Sequence, residues 1–249
     1  MSSEVPFTKK NLDTCLKELA KEFRKLNGTA MCAEIILVGG AAVLANYSFR
    51  EATYDIDAAI TASSVMKEAV NRVGDKLNLP NGWLNMDFHR TNSYSDKLTA
   101  VSSYYKTFSN VLAVRTVAAE YLIAMKLMSG RRYKNDLSDI VGILFEHQKN
   151  GKPISREAID NAIYTLYGET AVLPPISKQT IDDAFSYGDY EQAYMKIRES
   201  EKQSKAILLD FDKTYPGALN ADKIDSILEQ AMQKKREMVS DKTKQGGGL

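Results

Sequence analysis

The sequence predicts an α+β protein: an N-terminal mixed sheet with flanking helices over residues 1–115, followed by a C-terminal helical domain over 116–249. Short apolar runs bounded by Gly, Pro and polar clusters alternate with helical patterns before residue 116. Beyond it, helical periodicity takes over. A composition that is 44% hydrophobic and 26% charged suits a folded globular chain.

The elements follow in order. Residues 8–27 read as an amphipathic helix: Thr8 caps it, Leu12, Leu16, Leu19, Phe23 and Leu26 form the apolar stripe, and Gly28 stops it. Residues 33–38, "AEIILV", form a buried strand broken by Gly39 and Gly40, and "AAVLANY" starts a short helix. "DIDAAI" is the second strand, 63–78 the next helix, and "GWLNMDF" a third strand or its approach. "YYKTFSNVLAVRT" reads as a hairpin turning at Ser109-Asn110. Helices are expected at 117–129, 136–148, 155–167, 178–186, 190–206 and 221–238, with a frayed polar tail from about 234.

Several function classes drop out on composition. A formal net charge of +1 gives no global field for nucleic acid or membranes, so any basic surface must be local. Two cysteines without CxxC spacing and only two histidines argue against a disulfide framework or a zinc centre. There is no apolar run near the roughly 20 residues that span a bilayer, and no secretory leader. The expectation is a cytoplasmic protein with no membrane partner. No nucleophile elbow or His-rich helix points to a hydrolase triad or zinc protease.

The stretch "IILVGGAAVLANYSFREATYDIDAAI" carries the chemistry. A strand, a glycine pair and a helix place backbone N–H groups where an anion can approach, although the same pattern also makes a turn with no ligand. The spacing around Gly39 and Gly40 does not fit G-x-G-x-x-G, and Asp55 and Asp57 precede the apolar residues of their strand rather than follow them. A dinucleotide-binding fold is therefore disfavoured. Alternation on a strand points Asp55 and Asp57 the same way, with α-carbons about 6.6 Å apart. Such a pair either converges on a hard cation or forms a solvated edge.

The combination of Val38-Gly39-Gly40 with Asp55-Ile56-Asp57 resembles the nucleotidyltransferase superfamily with the polymerase-beta-like fold. "YLIAMKLMSGRRYKNDLSDIVGIL" is similar to the Lys-x-x-x-x-Arg…Asp-x-x-Asp segment of toxin–antitoxin and abortive-infection type IV toxin nucleotidyltransferases. The resemblance covers roughly residues 33–145. It implies a nucleotidyltransferase-fold sheet and metal-dependent transfer of NMP from an NTP to a tRNA or protein acceptor. Mg²⁺ or Mn²⁺ is the implied cofactor, and a cognate antitoxin a possible partner. It also implies roles residue by residue: Gly39 and Gly40 contact the triphosphate, Asp55 and Asp57 bind metal, and Asp87 is the candidate third acid. Lys126 holds a phosphate, Arg131 contacts nucleotide, and Asp139 is the acid of the next helix.

Each of these residues has a plainer reading. Lys126 could snorkel from an apolar helix to the surface. Arg131 lies in the basic cluster "GRRYK", which is either a phosphate contact or a solvated turn. Asp136 and Asp139 could simply pair with Arg131 or Arg132. For the whole chain, the alternative is a catalytically weak nucleotide-binding or partner-binding module with the same fold.

Overall fold

A computed structural model describes residues 6–29, 31–220, 223–231 and 233. The expected helix at 221–238 and the polar tail lie partly or wholly outside them. The architecture is mixed α+β, a sheet in the N-terminal part and helices after it, as the sequence predicts.

The first helix, α1 (Lys9–Asn27), starts at Thr8, whose hydroxyl accepts from the Asn11 N–H while the Asn11 side chain accepts from the Thr8 N–H. Gly28 ends it at φ +73°. The strands are β1 (Ala33–Leu37), β2 (Ile56–Thr61), β3 (Leu84–Asn85), β4 (Ser102–Phe108) and β5 (Leu112–Val117), in sheet order β3-β2-β1-β5-β4. β1 is central, antiparallel to β2 and parallel to β5, and Ile35, Ile36 and Leu37 are buried. β4 and β5 form the expected hairpin, with Ser109 and Asn110 both at positive φ, as a tight two-residue turn demands.

The helix α2 (Gly39–Asn46) begins at the glycine pair itself, two residues earlier than the sequence suggested. Then come α3 (Met66–Leu77), which ends at Asn78 in a left-handed conformation, and α4 (Ala119–Ser129), α5 (Asp136–Lys149), α6 (Arg156–Tyr167), α7 (Pro175–Tyr187) and α8 (Tyr190–Thr214). One hydrophobic cluster runs from Phe7 to Tyr190 and includes residues on both sides of position 116. Trp83 is part of it, with its indole N–H donating to the Val70 carbonyl.

The longest helix, α8, packs along α5, and a buried carboxylate joins them. Glu201 accepts from the backbone N–H groups of Leu137 and Ser138 at 3.0 and 3.1 Å and from the Ser138 hydroxyl at 2.5 Å. It thus caps the first turn of α5 from another helix, satisfying N–H groups that have no partner within α5. Burial pushes the Glu201 carboxyl up to about 8, against the Ser138 hydrogen bonds and with help from the nearby Asp139 and Asp136.

This position carries a pH signature. Folded Glu201 holds its proton more tightly than the unfolded chain does, so its contribution is complete below pH 4.5 and is lost as pH rises towards about 8. Glu201→Gln keeps an acceptor for the two N–H groups and cannot ionise. The melting temperature of wild type should therefore fall relative to that of Glu201→Gln across this window and run parallel to it above. Parallel curves throughout would show that Glu201 does not titrate there.

Candidate functional site

The site is assembled where β1 ends. The Val38 N–H donates to the Asp57 carbonyl at 3.0 Å, which locks the start of α2 to β2. Gly39 takes φ +54°, and a Cβ there would stand 3.5 Å from the Asp57 carboxylate. Glycine is needed at this position for the left-handed backbone. Gly40 is glycine for a different reason: a Cβ would come within 2.6 Å of the Thr53 hydroxyl and 3.1 Å of the Arg50 guanidinium. No side chain caps α2 at Val38, and Gly39 and Gly40, at the N-terminus of the helix, line the cleft.

The segment before β2 is fastened from the other side. Phe7 and Thr53 exchange backbone hydrogen bonds at 2.7 and 2.9 Å. The Thr53 hydroxyl lies 3.3 Å from an Asp55 carboxylate oxygen. Asp55 immediately precedes β2 and is exposed, whereas Asp57 lies within the strand and is half-buried. Alternation puts both carboxylates in the same cleft. Burial raises the Asp57 pKa and the neighbouring Asp55 charge adds to this, while Arg131, Lys126 and Lys134 oppose it.

The cleft has two lobes that share Gly39, Asp55, Asp57, Lys126, Arg131 and Asp136. The smaller, about 200 Å³, is finished by Asp87, Phe88, Thr91, Ser93, Met125 and Ser129. The larger, about 380 Å³, is finished by Tyr54, Tyr133 and Lys134 and by a wall from α8.

Beneath the cleft lies a buried charge network. Lys126 is 6% exposed, and its ammonium is 2.8 Å from both Asp136 and Asp139. Arg50 donates to both oxygens of Asp139 at 2.7 Å, and Arg131 Nε donates to Asp136 at 2.8 Å. Burial alone would lower the Lys126 pKa, but Asp136 and Asp139 outweigh it and hold the ammonium charged. Burial likewise works to raise Asp136, but Lys126 and Arg131 win and keep it well below the usual carboxylate range.

Several expectations change accordingly. Lys126 does not snorkel: it is enclosed, and its charge is neutralised by two acids. Asp139 was expected to act as an acid in the site, but it lies under the cleft, 1% exposed, as the partner of Lys126 and Arg50. Asp87 is not on a strand. β3 stops at Asn85, which stands opposite Asp57 in the register, and Asp87 opens the 3-10 helix Asp87–Arg90 that follows. Asp87 lines the smaller lobe together with Asp55 and Asp57, and among the described residues there is no group of three His, Cys, Asp or Glu side chains that could hold a metal ion. The structural pairing of Asp136 with Arg131 is present, while Arg132 reaches Glu229 at 3.8 Å. Tyr104 and Tyr105 lie on β4, away from the cleft, with the Tyr105 hydroxyl donating to Asp13.

Three contributors escaped the sequence reading. Arg50 sits in the same "FREATYDID" stretch as the aspartates, and its signal was the need of Asp139 for a buried counter-charge. Thr53 supports Asp55 from two residues away. Lys205 comes from α8, which folds back over the cleft, and no local pattern marks it.

Two perturbations separate support from chemistry. Lys126→Met should destabilise the fold by about 3–5 kcal/mol, because it strips one counter-charge from two buried carboxylates; chemical denaturation measures this, and a loss below about 1 kcal/mol would show the network to be dispensable. Gly40→Ala should cost about 1–3 kcal/mol through the clash with Thr53. Adding Thr53→Ala should recover part of that loss in the double variant. No recovery would place the constraint at Arg50 instead.

Residues 14–166, more than half of the chain, match the family described as nucleotidyltransferase of unknown function (DUF6036). No curated protein matches the chain. Among solved structures, an antigenic nucleotidyltransferase-like protein from Paracoccidioides brasiliensis is similar at 15% identity, with a TM-score of 0.40 over 77% of this chain and 95% of that one, too loose a likeness to bear on the site. On the family match, with a glycine turn and two aspartates facing one cleft inside the matched region, the chain belongs to the DUF6036 nucleotidyltransferase family.

Proposed function

We propose that this protein transfers a nucleoside monophosphate from an NTP to a hydroxyl acceptor with release of pyrophosphate, using a divalent cation held by Asp55 and Asp57. The observation that carries the reading is the juxtaposition of these carboxylates with the open N-terminus of α2. The donor set fits a metal that arrives with its substrate. Mg²⁺ is commonly bound by one or two carboxylates plus substrate phosphates rather than by a protein cage. Two carboxylates and no third describe Asp55 and Asp57. Such an ion, Mg²⁺ or Mn²⁺, supplies charge neutralisation at the α-phosphate and activation of the attacking oxygen.

The chain's own residues do the rest. Gly39 and Gly40 offer backbone N–H groups to the phosphates, reinforced by the positive end of α2. Arg131, whose side chain is 43% exposed despite its bond to Asp136, presents a guanidinium at the junction of the lobes. In this reading Asp87, exposed in the smaller lobe, takes the proton of the acceptor hydroxyl. Lys126 and Asp139 act from below as positioning residues. Catalysis is then mainly orientation and charge placement.

The acceptor is a tRNA or a protein, and the setting a toxin–antitoxin or phage-defence pair with a cognate antitoxin. This rests on the likeness of the Lys126–Asp139 segment to such toxins. We place the reaction in the cytoplasm, in keeping with the unpaired Cys15 and Cys32. No helix among the described residues is long and apolar enough to cross a membrane. One observation favours a second reading, a nucleotide-binding module with little transfer activity: no third acid joins Asp55 and Asp57.

Incubation with each α-labelled NTP, Mg²⁺ or Mn²⁺, and total RNA or lysate should label an acceptor. Asp55→Ala and Asp57→Ala should each abolish labelling. Both should also raise thermal stability in chelator by about 0.5–1 kcal/mol, since each removes one of two repelling carboxylates. NTP binding without labelling would favour the module, and full labelling by the double variant would refute the assignment.

A further inference from the structure

Tyr54 stands between Thr53, which is 2% exposed, and Asp55, yet its own ring is 51% exposed. It lines the larger lobe. Facing it from α8 is the Lys205 ammonium, 5.3 Å from the ring centroid. The open ring offers a flat ligand a stacking face beside the site carboxylates. Leu209, also on the lobe and 54% exposed, adds apolar surface from the same helix.

The cations of the cleft are of two kinds. Lys126, Arg50 and Arg131 are already paired with Asp136 and Asp139. Lys134 and Lys205, both exposed, have no carboxylate within ion-pair distance among the described residues. These two free ammonium groups, together with Arg50 and the α2 N-terminus at Gly40, all belong to the larger lobe, against one acid of its own, the exposed Asp212. The smaller lobe adds only hydroxyls, apolar groups and Asp87 to the shared residues. Charge therefore assigns a polyanion to the larger lobe and a neutral acceptor hydroxyl to the smaller.

We propose that the larger lobe binds the nucleobase of the NTP as well as its phosphates: the base stacks on Tyr54, and Lys205 moves from the ring face to the phosphate chain. The base is covalently tied to the phosphates and so stays within reach of Tyr54, the exposed ring beside the free lysines. Stacking of this kind is sequence-tolerant, since every base has a π-face. A lobe of about 380 Å³ suits a small-molecule ligand. The inference rests on the nucleotidyltransferase reading and adds to it a base-recognition surface and a role for α8.

Calorimetry with Mg²⁺, using each of the four common NTPs and inorganic tripolyphosphate, tests it on wild type, Tyr54→Ala, Tyr54→Phe and Lys205→Ala. Tyr54→Ala should weaken NTP binding about tenfold and leave tripolyphosphate unchanged, while Tyr54→Phe, which keeps the ring, should stay within about twofold of wild type. Lys205→Ala should weaken both ligands. If wild type binds NTP and Tyr54→Ala binds it equally well, or loses NTP and tripolyphosphate alike, the stacking surface is wrong while the nucleotidyltransferase reading stands. If wild type binds no NTP at all, that reading fails and this inference with it.

Discussion

Lys126 is charged, almost excluded from water, and held by two carboxylates that are themselves buried. An ammonium in such a place is tolerable only because Asp136 and Asp139 converge on it, and those carboxylates need Arg131 and Arg50 in turn. The network joins four parts of the chain: α4 through Lys126, the loop after it through Arg131, the first turn of α5 through the two aspartates, and the loop before β2 through Arg50. The cleft sits on top of it. Arg50 also donates to the Ala52 carbonyl at 2.9 Å, next to the Thr53 that supports Asp55. The position of the site carboxylates is thus coupled to the charge balance below them.

The network also settles what each charge can do. Lys126 faces two buried acids beneath the cleft and is bound to both. Arg131 differs, because it keeps one exposed side while bonded to Asp136. Lys134 and Lys205 differ more, being exposed and without carboxylate partners among the described residues. Basic residues close together in sequence, such as Arg131, Arg132 and Lys134, therefore end in three electrostatic situations.

α8 supplies one wall of the larger lobe. It is anchored by Glu201, whose carboxyl group caps the N-terminus of α5 in the same turn as Asp139. A few residues further along, Lys205, Leu208 and Leu209 reach the larger lobe. The middle of the helix thus caps α5, and the next turns form a wall of the larger lobe. The cap and the wall lie on one rigid helix, which fixes their separation.

Local patterns were enough for much of this. Thr8 and Gly28 mark the ends of α1 because capping and left-handed termination are properties of a few neighbouring residues. Ser109-Asn110 fix the hairpin for the same reason. The glycine turn and the strand-entry position of Asp55 and Asp57 follow from periodicity alone, and so does their shared face. The tertiary structure decided the remainder. Whether Lys126 reaches water or meets acids depends on how α5 crosses α4. Asp139 is removed from the cleft by the packing of that crossing and by Arg50. Asp87 leaves the sheet because β3 pairs with β2 over only two residues before the chain turns into a 3-10 helix. Lys205 enters the cleft from 150 residues beyond Asp55, through the docking of α8 on α5. Short-range sterics and hydrogen bonds write themselves into sequence spacing, whereas the partner of a buried charge is chosen by the fold that buries it.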